Sequence, residues 1–170
     1  EIVFLGNSIT EGGKWQELIP KKNVVNRGIS GDVTFGVIAR MDEVLASRPA
    51  RIFILIGIND MKRGTPQNVI LDNYKRIIAK IKEASPATKV YIQSILPINK
   101  RMLPASYEKL SNANILEFNL KLKGFCEVQE LNYINLHEVF AGADAELKEE
   151  PSIDGLHLKY EDLPLWSGNV

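Results

Sequence analysis

The chain has 170 residues, enough for one domain with a sizeable core, and its 45% hydrophobic and 25% charged residues are ordinary for a globular protein. Lys+Arg 21 balance Asp+Glu 21, which leaves no electrostatic footprint for nucleic acid, and no apolar run reaches membrane-spanning length. A single cysteine, Cys126, excludes an internal disulfide framework, and with only His137 and His157 beside it no metal-ligand cluster is expected.

Ile2-Val3-Phe4-Leu5 is an apolar run followed by Gly6, the pattern of a short buried strand. Gly6-Asn7-Ser8 lets the chain turn sharply, and from Ile9 onward Trp15, Leu18 and Ile19 recur at helical spacing. A helix is therefore expected close behind Ser8. That serine falls at the carboxyl end of a strand, where ligands bind in open α/β sheets. Two readings stay open: a helix cap, or an exposed nucleophile near helix-end N–H groups. The chain opens at Glu1 inside a strand and without Met, so upstream residues are expected and the lack of a leader says nothing of compartment.

Val24-Val25-Asn26-Arg27-Gly28 predicts a second strand, followed by Ile29-Ser30-Gly31-Asp32. Asp32 and Thr34 suit the start of a helix whose apolar face is Val37, Ile38, Met41, Val44 and Leu45, closed by Pro49. Arg51 to Gly57 is the strongest strand, unbroken and apolar, hence central in a parallel sheet; it runs into Gly57-Ile58-Asn59-Asp60. Thr65-Pro66 opens a long helix with its stripe at Ile70, Tyr74, Ile77, Ile78, Ile81 and Ala84. Lys89 to Leu96 reads as a fourth strand, and Asn99 to Ser106 as a polar loop on the same edge as the other strand ends. Tyr107 to about Leu131 reads as a helix with apolar residues on more than one side, Cys126 among its core or boundary positions. Tyr133 to Leu136 is a fifth strand, and Ala141 to Pro151 an acidic, solvated loop. With no repeat and no linker, residues 1–170 are expected to form one three-layer α/β/α domain: a five-stranded parallel sheet, helices on both faces and right-handed crossovers.

Four polar clusters then share one sheet edge: Gly6-Asn7-Ser8, Gly28 to Asp32, Gly57 to Asp60, and Asp154-Gly155-Leu156-His157. Together they hold the parts of acyl transfer. A serine needs a base, a histidine supplies it at neutral pH, and a carboxylate orients the histidine. Backbone N–H groups and an Asn side chain can face the oxyanion. Ser30 reads as a turn residue, Asp32 and Asp60 as a helix cap and a loop-pinning carboxylate. His137 follows a strand but lacks an Asp three residues before it, which disfavours it as the base.

These blocks, with Asn26-Arg27-Gly28-Ile29-Ser30-Gly31-Asp32 and Gly57-Ile58-Asn59-Asp60, resemble the SGNH hydrolases, also called the GDSL esterase/lipase family. Within it the chain is similar to the branch of platelet-activating-factor acetylhydrolase subunits and bacterial carbohydrate acetylesterases. The resemblance implies a flavodoxin-like sheet and ester hydrolysis through an acyl-enzyme without cofactor. It places the catalytic set at Ser8, Asp154 and His157, and the oxyanion hole at Ser8, Gly31 and Asn59. The expected substrate is a small-molecule or carbohydrate ester carrying a short acyl group, acetyl first. A lysophospholipase or thioesterase is the alternative within the family, and a non-catalytic carbohydrate- or acyl-binding module the alternative outside it. The resemblance also leans toward an exported protein over a cytoplasmic one. Two departures are visible: Asn7 stands where the family more often has Asp, and Tyr160-Glu161-Asp162-Leu163-Pro164 sets a proline against the expected last helix.

Overall fold

A computed structural model describes residues 1–158; the proline-containing stretch 160–164 lies outside the described residues. Five strands, β1 (Ile2–Gly6), β2 (Val24–Gly28), β3 (Arg51–Leu55), β4 (Lys89–Gln93) and β5 (Asn132–Ile134), form one sheet in the order β2-β1-β3-β4-β5. Every pairing is parallel. This is the flavodoxin-like order, with its switch point between β1 and β3.

The central strands are apolar on both sides because both faces are covered. Phe4, Phe53 and Tyr91 are register partners across β1, β3 and β4, and their rings stack at 4.9 and 4.5 Å. Trp15 extends the row, stacking on Phe4 at 4.3 Å and 2°. The helices α3 (Thr34–Leu45), α5 (Gln67–Ala84) and α6 (Asn112–Val128) pack in succession, α3 on α5 and α5 on α6. The β1–β2 connection runs the opposite way along the sheet, so right-handed crossover puts its helices on the other face.

Several elements differ from expectation. The first helix is two short ones, α1 (Ser8–Glu11) and α2 (Trp15–Leu18), interrupted at Gly12-Gly13. The Trp15 indole folds back over Gly13, where a side chain would collide with it, and its Nε1–H donates to the Thr10 carbonyl at 2.8 Å. β4 ends at Gln93 rather than Leu96. Beyond it the Asn119 amide bonds both Ile95 N–H and C=O, each at 2.9 Å, and Asn112 does the same at Ile98. α6 begins at Asn112 behind its Ser111 cap, not at Tyr107, which closes a 3-10 turn (Ala105–Tyr107). β5 stops at Ile134, and α7 (Leu136–Phe140), unforeseen in sequence, follows behind an Asn135 cap. The stretch 141–151 is packed rather than simply solvated: Leu147 is buried, and Glu146 accepts from Lys100 N–H and Asn112. Cys126 is buried in the core, and burial pushes its thiol up to about 12.

Candidate active site

The carboxyl ends of β1 and β3 flank the switch point, and the turns leaving them carry Ser8 and Asn59. The helix-cap reading of Ser8 is corrected by the structure. Asn7 is the cap, its Oδ1 accepting the Ile9 N–H at 3.0 Å, and Ser8 is the first residue of α1. A capping side chain at residue 7 leaves the Ser8 hydroxyl for other work. The hydroxyl lies 2.9 Å from His157 Nε2.

His157 and Asp154 come from a loop that returns to the same edge. Asp154 Oδ2 is 2.8 Å from His157 Nδ1, and its Oδ1 accepts the N–H groups of Leu156 and His157 at 3.0 and 2.8 Å. Burial acts to raise the Asp154 carboxyl, but the hydrogen bonds from His157 and Leu156 and the His157 charge outweigh it. The net position is below the ordinary carboxylate value. The loop is closed by Ile153 N–H to His157 C=O at 2.8 Å and Gly155 N–H to Ser152 Oγ at 2.7 Å. It is fastened to residues 99–103 by Asn99 N–H to Gly155 C=O at 2.8 Å. The loop after β4, expected to line the site, therefore supports the Asp154–His157 turn.

Gly31 lies in an exposed turn at φ +78°, a left-handed conformation glycine adopts without strain, with nothing near its missing side chain. Neither its N–H nor that of Ser8 has an acceptor among the described residues. Asn59, in α4 (Ile58–Lys62), donates from Nδ2 to the Asp32 carbonyl at 3.0 Å, so the Gly31 turn and the Asn59 turn are joined. Asp60 is buried and reaches across to α3, accepting Thr34 N–H at 3.1 Å and Thr34 Oγ1–H at 2.6 Å; Asn73 then donates to Thr34 Oγ1 at 2.8 Å. Asp60 thus holds the start of α3 from α4, and Asp32, the expected cap, does not. Burial, outweighing those hydrogen bonds, leaves the Asp60 carboxyl above its ordinary value.

Asp32 instead faces Arg40. Its Oδ2 is 3.0 Å from Arg40 Nε and 2.8 Å from Nη2, while Arg40 Nη1 and Nη2 donate to the carbonyls of Arg27 (2.7 Å) and Gly6 (3.0 Å). Arg40 was not singled out in the sequence, because Asp32 precedes α3 and the carbonyls that Arg40 meets lie on β1 and β2. Ser30 contributes only its N–H, to Glu11 Oε2 at 2.8 Å. His137 is buried on α7; its backbone N–H donates to Ser94 Oγ, and its Nε2 has no partner among the described residues. Burial holds its imidazole below the usual value. No cluster that could hold a metal occurs among the described residues, and no helix there is long and apolar enough to cross a membrane.

The parallel sheet and its order agree with the solved structures this chain resembles. Residues 4–161 match the model of the GDSL-like lipase/acylhydrolase family, and the chain belongs to that family. It is an ester-hydrolysing enzyme of the GDSL type. An arylesterase of Vibrio mimicus is 29% identical over 96% of this chain and 82% of its own length. The human platelet-activating factor acetylhydrolase IB subunit alpha1 is 26% identical over 93% of this chain and 68% of its own. A solved structure from Streptococcus pneumonia, described provisionally as a platelet activating factor, superposes with a TM-score of 0.92 at 32% identity. It covers 99% of this chain and 80% of that one.

Proposed function

We propose that the enzyme is a serine esterase that removes short acyl groups, acetyl foremost, from a carbohydrate or similar polar alcohol. The observation that carries the reading is the continuous chain Asp154–His157–Ser8, with contacts of 2.8 and 2.9 Å. With its Nδ1–H on Asp154, the imidazole presents an unprotonated Nε2 to the serine. Ser8 Oγ attacks the acyl carbonyl while His157 takes its proton. The oxyanion is met by the N–H groups of Ser8 and Gly31 and by the second N–H of the Asn59 amide. The intermediate collapses, His157 returns the proton to the departing alcohol, and a water hydrolyses the acyl-serine by the same steps in reverse. An acetyl-removing relative supports the acyl group chosen.

A second reading concerns the alcohol. Ile29 and Phe35 flank the Gly31 turn and Ile153 adjoins Asp154, all three well exposed. Apolar side chains on both sides of the site favour an aryl or otherwise apolar leaving group, and one relative is an arylesterase. A series of p-nitrophenyl esters of rising acyl length, run beside acetylated sugars, separates these readings. The proposal expects highest kcat/KM at acetyl. Preference for long chains would reject it in favour of a lysophospholipase or thioesterase, and neglect of sugar acetates beside rapid aryl acetate turnover would select the apolar alcohol. Ser8→Ala should abolish both turnover and fluorophosphonate labelling; near-normal labelling of that variant would remove Ser8 from the reaction.

A further inference from the structure

We infer that Arg40 is a positioning residue for the oxyanion hole: its guanidinium holds the turn carrying Gly31 in register with the turn carrying Ser8. The kinetic part of this inference rests on the mechanism proposed above. The structural part does not.

One planar group here serves three chain segments. It donates to the last carbonyl of β1, two residues before Ser8, to a carbonyl at the end of β2, and twice to the carboxylate next to Gly31. Both charged side chains are largely withdrawn from water, 15% and 11% exposed, so the geometry is fixed rather than averaged. Asp32 is held a second time, by Val33 N–H on its other carboxylate oxygen at 2.9 Å and by Asn59 on its carbonyl. The three groups proposed to face the oxyanion therefore hang on one connected frame, with Arg40 at its centre. The helix makes room for this. A side chain at Gly36 would lie 1.8 Å from Asp32 Oδ1, so glycine lets the carboxylate cross the first turn of α3 and reach Arg40. Lysine cannot replace the fork, because a single ammonium cannot address a carboxylate and two separated carbonyls in one plane.

An ordinary stabilising ion pair would change only the melting temperature. A positioning role changes kcat, because donors misplaced by about 1 Å lose on the order of 10²-fold in rate. Arg40→Met, Arg40→Lys and Asp32→Asn would be compared with wild type and with Glu43→Gln, which removes an exposed ion pair on the same helix. Two quantities are read: kcat and KM per active site titrated to completion with fluorophosphonate, and amide hydrogen exchange at residues 30–33 without substrate. The expectation is a kcat lower by about 10²-fold in Arg40→Met and about tenfold in Arg40→Lys, KM within about twofold, and Glu43→Gln unchanged. Exchange at Asp32 and Val33 should quicken while residues 41–45 of α3 keep their protection. Arg40→Lys retains a charge for Asp32 and serves where Arg40→Met does not fold. Unaltered kcat per site with a lowered melting temperature, or unaltered exchange at 30–33, would overturn the inference. Should wild type turn over no ester at all, the mechanism fails, and the exchange measurement alone still decides whether Arg40 holds the turn.

Discussion

The Asn59 amide gives one N–H to the Asp32 carbonyl and keeps a second, which the proposed mechanism aims at the oxyanion. A donor that acts in the transition state affects kcat rather than KM. Asn59→Ala is therefore expected to lower kcat by roughly 10²–10³-fold with KM nearly unchanged. Asn59→Asp, which adds a charge facing the oxyanion, should be slower still. Steady-state kinetics and melting curves on the same preparations check this; full kcat with a lowered melting temperature would leave Asn59 as a turn residue. At Asp154, the hydrogen bonds that depress its carboxyl keep it ionised through neutral pH. Asp154→Asn retains the shape and loses the charge that orients His157, and kcat is expected to fall by up to about 10⁴-fold. His137→Ala, buried on α7 away from this chain of contacts, should leave kcat per folded molecule intact.

At the scale of elements, the decisive joint is between the loop after β4 and the Asp154–His157 turn. Gly155 has φ +92°, and a side chain there would lie 2.6 Å from the Asn99 carbonyl and 2.9 Å from Met102 Cβ. Gly155→Ala must open that joint and carry His157 with it. A kcat loss of about 10²-fold is expected, with circular dichroism of the sheet unchanged; normal kinetics would show that the loop absorbs the change elsewhere. The first three strands and the blocks that follow them were legible in sequence because each is local: an apolar run, then a glycine, then polar residues; Asp154 to His157 follows no such run and lies in a loop past the last strand. What was not legible depends on partners far along the chain. Asp60 capping α3, Arg40 reaching the carbonyls of Arg27 and Gly6, and Asn112 and Asn119 bonding the backbone beyond β4 are each made across more than ten residues, where neither periodicity nor cap preference reports. The split of the first helix turned on the Trp15 ring folding back over Gly13, which spacing does not reveal. The cap at Asn7 rather than Ser8 was equally ambiguous, since both residue types cap well.

For the whole molecule, Ser8 and His157 meet only when the sheet is complete, because they are 149 positions apart. Stability and activity should therefore be lost together on heating. One buried group sets a pH dependence. His137 is held neutral by burial, with its folded pKa below 6.5, so the unfolded chain binds the extra proton first. Stability from this source is present above pH 6.5 and is lost as pH falls from there through the folded value. The melting temperature should drop on acidification across that interval, and His137→Gln should flatten the drop. An unchanged slope in His137→Gln would assign it to other groups.

The aromatic row through the sheet has an optical consequence. The chain contains two tryptophans, and Trp15 is 2% exposed, parallel to Phe4 and hydrogen-bonded to the carbonyl of Thr10, two residues past Ser8. In a Trp166→Phe protein every tryptophan photon comes from beside the turn that carries Ser8. Its emission should be blue-shifted, poorly quenched by iodide, and accompanied by a strong near-ultraviolet dichroic band from the coupled rings. Movement of α1 would then register as a colour change, without a substrate or a label.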